Sequence, residues 1–136
     1  MNIVAKRRYY LDDFGMGWEE AYLIVRVPNS KERREYVQRL KDGEKAMEAE
    51  LEPLTDTKEI AAVSAKYEEM SQKYILDMAK SLVTGGQVPD TKEDGSVEMA
   101  TIGLEDVDTV LDAIGSVRAN DLIIFAVGAN GLKAKN

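Results

Sequence analysis

The feature that most constrains this chain is an apolar stripe in its middle. Ile60, Val63, Tyr67, Met70 and Tyr74 recur at spacings of three and four, and the stripe then drifts onto Ile75, Met78 and Leu82 before Gly85-Gly86. Such spacing puts one face of a long helix against something apolar, and the glycine pair is a helix stop. Upstream, Val37, Leu40, Met47, Leu51 and Leu54 keep a similar stripe, interrupted at Gly43 and Glu44. Asn29 with Glu32 fits a capping box at the start of this helix, Pro53 closes it, and Thr55 or Asp56 opens the next. A connection that short makes the two helices antiparallel neighbours. The pattern therefore predicts Ile60, Val63, Tyr67, Met70 and Tyr74 packed on Val37, Leu40 and Met47. On that reading Met70→Asp buries an unpaired charge and unfolds or strongly destabilises the domain.

Before the helices, residues 4–11 and 18–27 are rich in β-branched and aromatic residues and flank DDFGMG. That combination predicts a β-hairpin, with Ala21, Leu23, Val25 and Val27 on one face. Two strands are marginal alone and need helices to lie on. Residues 87–96 hold Pro89, Asp90, Asp94 and Gly95 without periodicity and read as an exposed loop. Leu104, Val107, Leu111 and Ile114 mark a third helix ending at Gly115, and Ser116 can cap a fourth.

That last helix contains LIIFAV, six apolar residues from Leu122 to Val127. A membrane span needs about twenty, so protein must cover the run. A helix docked on the body or on a neighbouring subunit, stopped by Gly128 or Gly131, is one solution, and a buried strand is the other. The expected fold is α+β and mainly helical. It comprises an N-terminal β-hairpin (1–28), a long antiparallel helical hairpin (29–86), an exposed loop (87–100), and two short C-terminal helices with a tail (101–136), all in one domain.

Composition narrows function. The 136 residues contain neither Cys nor His, which removes thiolate and imidazole chemistry, the usual zinc sites and the common nucleophile pairs. The net charge of -7 repels phosphate backbones. Lys6-Arg7-Arg8 and Lys31-Glu32-Arg33-Arg34 read as solvated faces or strand-edge protection. The start shows no apolar export core, so a cytoplasmic location is expected.

DTKEDGS resembles a calcium loop only superficially: Lys92 stands where an oxygen ligand is needed, and Thr101 where the loop wants a bidentate Glu. Asp12, Asp13, Glu19 and Glu20 suit a turn with charged flanks. Neither GANG nor GGQ has phosphate-loop spacing. No catalytic residue, cofactor or metal is expected. Met47, Met70 and Met78 on helical stripes fit core packing, or alternatively an adaptable surface that grips a partner helix. The candidate partner-binding residues are Met70, Met78, Ile123, Phe125 and Val127.

Taken together, RRYYLDDFGMGWEEAYLIVRVPNSKERREY and the closing LEDVDTVLDAI…LIIFAVGANGLKAKN resemble, in layout, the small tail assembly chaperones of long-tailed bacteriophages. The resemblance covers both ends of the chain. It implies a non-enzymatic protein of the host cell cytoplasm that coats the helical tape measure protein and leaves as tail tube subunits polymerise. The expected partners are the tape measure protein, with the tail tube protein beside it, and further copies of the same chain; the net charge and the short apolar run argue against nucleic acid and membrane. The family often makes a longer product by ribosomal frameshifting, and Ala134-Lys135-Asn136 can be encoded by a slippery heptamer. The alternative is a permanent virion subunit, such as a tail tube or tail completion protein, whose mark would be more strand.

Overall fold

The computed structural model describes residues 5–128. The elements run β1 (Lys6–Tyr10), β2 (Tyr22–Arg26), α1 (Ser30–Leu51), α2 (Thr57–Leu82), β3 (Val83–Thr91), β4 (Val97–Thr101), a short 3-10 turn (Leu104–Asp106) and α3 (Val107–Val127). The four strands form one antiparallel sheet in the order β1-β2-β3-β4. The fold is thus α+β, but its sheet is wider than an N-terminal hairpin alone.

The second hairpin corrects the expected loop over residues 87–100. Val83 follows Leu82 of α2 with no connecting residue, and β3 pairs first with β2 and then, from Gln87 onward, with β4. Pro89 lies in the stretch paired only with β4, where a residue without an N–H is tolerated because one side of the strand is an edge. DTKEDGS is the turn of this hairpin. The Lys92 N–H donates to the Ser96 carbonyl and the Gly95 N–H to the Lys92 carbonyl.

Gly86 fixes how β3 sits beside β2. Its φ is +140°, and a Cβ there would lie 2.3 Å from the Tyr22 carbonyl oxygen and 2.8 Å from Leu23 Cα. The backbones approach too closely for any side chain. A bulge between Ile24 and Val25 follows, after which Val25 faces Val83.

The core lies between the sheet, the last turns of α2, and α3. Leu11, Ala21, Leu23, Val25, Ala79, Leu82, Leu111, Ala119, Leu122, Ile123 and Ala126 are wholly shielded from solvent. α3 is one helical element broken at Gly115, whose φ of 86° and ψ of 170° are not helical. The break has a visible purpose. Val107, Val110, Leu111 and Ile114 are buried before it, and Ala119, Leu122, Ile123 and Ala126 after it. An unbroken helix would continue the first stripe at 118, 121 and 125. The positive-φ glycine shifts the phase by one residue, so both segments turn their apolar faces to one core.

LIIFAV is therefore helical and docked on the chain's own body, and Gly128 follows its end with its N–H on the Ile124 carbonyl. Gly131 and the Ala134-Lys135-Asn136 ending lie outside the described residues. No helix among the described residues is long and apolar enough to cross a membrane.

Polar contacts fasten the base. The Tyr9 hydroxyl donates to Asp121 at 2.6 Å, and burial followed by this bond pushes its pKa up to about 12. Arg118 pairs with Asp13 in the first turn at 2.9 Å, and Lys80 of α2 lies 3.4 Å from Asp108 and 3.2 Å from Asp112 of α3.

The start of α1 is tied to the sheet by a reciprocal cap. The Glu32 N–H donates to Asn29 Oδ1 at 2.8 Å, and the Asn29 N–H returns a bond to Glu32 Oε1 at 3.0 Å. The same carboxylate takes both terminal nitrogens of Arg26 at 2.8 and 2.7 Å. Arg26, then the Asn29 N–H, hold the Glu32 carboxyl down at about 2 against the pull of partial burial. A lowered folded value means stability present above the ordinary carboxylate range and lost as pH falls through it toward 2. Glu32→Gln should therefore destabilise the protein at pH 7 by about 1–2 kcal/mol after discounting for solvent screening. Denaturant melts of the two proteins should converge as the pH is lowered from 4.5 toward 2, and a constant gap across that window would contradict this assignment.

Candidate functional site

Beyond its first turns, the α1–α2 hairpin departs from the sequence expectation. Tyr36 is the last buried residue of α1, and Met78 is the first of α2. Across residues 37–77, not one side chain falls in the buried class. Two helices alone can shield only one side of each other, and α1 has no substantial packing against any element but α2. The hairpin is an arm that leaves the core, and its inner face stays half open.

A few directed contacts hold the arm together. Tyr36 stacks on Tyr74 with ring centroids 5.2 Å apart, and the Arg39 guanidinium lies 4.2 Å from the Tyr74 ring centre. Burial, then the neighbouring Tyr74, raises the Tyr36 pKa to about 12. Tyr36 is stacked and 1% exposed, but its hydroxyl has no hydrogen-bond partner among the described residues. Farther out, Glu50 of α1 accepts from Lys66 Nζ at 2.8 Å and from the Tyr67 hydroxyl at 2.9 Å. These two donors lower the Glu50 pKa. The pairs fix the relative position of the helices more than they stabilise them, because they are exposed.

Between the helices lies a groove of about 680 Å³, with Leu40, Gly43 and Met47 on one wall and Tyr67, Met70 and Tyr74 on the other. The volume matches that of pockets that hold ligands, although this one is an open trough between helices. Asp42, Glu44 and Glu68 stand at its rim, with Arg39 the basic residue among its lining.

The five candidate contact residues do not form one surface. Met70 is 55% exposed and lies on the groove, so it is not the buried centre of a seam. A charge placed there by Met70→Asp reaches solvent, and the unfolding expected from the stripe does not follow. Met78 and Ile123 are buried in the chain's own core, where the second hairpin and α3 supply neighbours the sequence pattern alone did not foresee. Phe125, 37% exposed, leans on Tyr9 with ring centroids 5.4 Å apart, and Val127 is partly buried near the end of α3. Within LIIFAV, Leu122, Ile123 and Ala126 are core, while Ile124 and Phe125 remain exposed.

Leu40 and Met47 lie on the stripe expected from the sequence and Gly43 is its interruption, but that spacing does not mark a site. Among the described residues, no group of acidic side chains is arranged to hold a metal ion.

The chain was compared with protein-family models, curated proteins and solved structures. It matches none of them. The reading of the site therefore rests on its own geometry.

Gly43 offers a direct check on that geometry. It sits inside α1, and a Cβ there would meet nothing within 4 Å. Glycine in a helix interior costs about 0.5–1 kcal/mol relative to alanine. Gly43→Ala should raise stability by about that amount, measured by urea unfolding. Destabilisation would show that the groove closes over this position.

Proposed function

We propose that this protein is a non-enzymatic tail assembly chaperone of a long-tailed bacteriophage. It binds the helical tape measure protein and is displaced as the tail tube polymerises. The observation that carries the reading is the arm, a helical hairpin in which residues 37–77 include no fully buried side chain and whose inner face is lined by Leu40, Met47, Tyr67, Met70 and Tyr74. A helix laid between α1 and α2 would complete a three-helix core, the mode in which amphipathic helices enter apolar grooves. Methionine suits a surface that must accept successive segments of a long partner, because its unbranched thioether repacks at little cost.

The absence of Cys and His from the chain accords with a binding role. So does a charge of -7, which keeps a protein with an open apolar groove soluble between binding events. Homo-oligomerisation and contact with the tail tube protein belong to the same proposal. So does action in the host cell cytoplasm.

A second reading, a permanent tail tube or tail completion subunit, draws support from the sheet. It has four strands, and β1 and β4 are its two edges. An intersubunit sheet could extend from either. The β1 edge is less suited to this because Lys6, Arg7 and Arg8 lie along it, and charged edges discourage strand addition.

Co-expression separates the two. With the tape measure protein encoded beside it, this chain should keep that partner soluble, co-purify with it, and be missing from finished tails. Stoichiometric presence in purified tails would favour the structural subunit, and failure to solubilise the tape measure protein would remove the chaperone reading.

A further inference from the structure

We propose that the segment seated in the α1–α2 groove is a basic amphipathic helix, which packs its backbone against Gly43 and sets its Lys or Arg side chains on the acidic rim. The proposal specifies the partner's chemistry and rests on the arm being a helix-binding site, as the chaperone reading also requires.

Charge selects the partner. The charged side chains lining the groove are Asp42, Glu44 and Glu68 against a single basic one, Arg39. Lys66 is engaged by Glu50 at 2.8 Å, and Arg39 is laid over the Tyr74 ring. Among the described residues, Glu44 and Glu68 at the groove rim take part in no ion pair. A second copy of this arm would set the same three carboxylates, Asp42, Glu44 and Glu68, against themselves around the apolar seam, and an acidic helix would meet the same repulsion. A helix with an apolar face and basic flanks satisfies both the seam and the rim.

Gly43 selects the geometry. Its backbone is ordinary helix, without a positive φ, and the space beside it is open. Nothing in this chain requires a glycine there. A missing side chain at the middle of a groove wall lets a partner's backbone come close, as small residues do wherever helices pack tightly. The groove runs over residues 39–47 of α1 and 64–74 of α2, roughly 12–16 Å at 1.5 Å per residue. It accommodates two to three turns of a partner helix.

The test uses the full chain and two labelled peptides of about twenty residues, long enough to hold helix. Both carry Leu on one face, with Lys on the other face in the first and Glu in the second. Fluorescence anisotropy at physiological salt should show the Lys peptide binding about tenfold or more tighter than the Glu peptide, with the gap narrowing as salt is raised.

Gly43→Leu, which favours helix and sits in open space, should melt no earlier than the parent yet bind the Lys peptide about tenfold or more weakly. Glu44→Lys with Glu68→Lys should erase the preference between peptides. Equal binding of both peptides, or undiminished binding by Gly43→Leu, would overturn the proposal. So would dimerisation through the groove, seen as a doubled mass that Gly43→Leu abolishes.

The chaperone reading can fail separately. If the peptide results hold but co-expression leaves the tape measure protein insoluble, the groove stands and its partner is another basic helix. If the tape measure protein co-purifies equally with Gly43→Leu, the chaperone stands and the groove proposal falls.

Discussion

The packing of α3 between α2 and the sheet is the contact on which the rest of this structure depends. Ala119, Leu122, Ile123 and Ala126 lose all exposure there, and each large apolar side chain so buried contributes about 1.5–3 kcal/mol. Without that layer, the inner face of the sheet, with Leu23 and Val25 at its centre, would be open to water. The polar ties follow the same docking. Tyr9 reaches Asp121, Arg118 reaches Asp13, and Lys80 reaches Asp108 and Asp112, so the first strand, the first turn and α2 are all located by α3. The glycine break at 115 is the local cost of presenting two apolar stripes, one residue out of phase, to that one core.

Because α3 engages only the last turns of α2, the outer half of the helical hairpin has no layer to rest on. Stability is therefore graded along the molecule: a dense base, and an arm held by one tyrosine stack, the exposed Glu50–Lys66 ion pair and its helix caps. Segments with few buried apolar contacts open at lower free energy than cores. An arm of this kind can adjust the spacing of its helices to an incoming partner while the base keeps it correctly oriented.

The sequence shows the first hairpin, both long helices, their caps and the phase break, because each is signalled by neighbours along the chain. Asn29 and Glu32 form the expected box, and Gly115 interrupts α3 where the stripe ends. What it hides is long-range. Pro89, Asp90, Asp94 and Gly95 carry the same turn chemistry whether they form a loop or an edge hairpin, and only the partnership of β3 with β2 decides between them. The stripe on α2 likewise runs continuously from Ile60 to Leu82 although its two ends have different fates. Its C-terminal end is core, while at Met70 it is groove, and periodicity cannot tell a face covered by its own chain from one left for another. LIIFAV divides as well: its density of apolar residues suggests a contact surface, and α3 turns Leu122, Ile123 and Ala126 inward while Ile124 and Phe125 stay exposed.

A temporary partner places particular demands on a binding surface, and the arm meets them if it acts as proposed. An assembly factor must find its target quickly and surrender it to a permanent subunit later. Charge complementarity raises the encounter rate, and the groove's lining sets Asp42, Glu44 and Glu68 against Arg39 alone. Residence time depends on deeply desolvated anchors, and the groove has none ready-made, since Met70 and its neighbours are at most partly buried before binding. Fast capture with moderate retention follows from that combination. A tube subunit that offers the same helix a fully enclosed seam would displace the arm by mass action. On the proposed role, the exposed groove and the acidic rim would act at different stages, the rim in recruiting a helix and the shallow seam in letting it go.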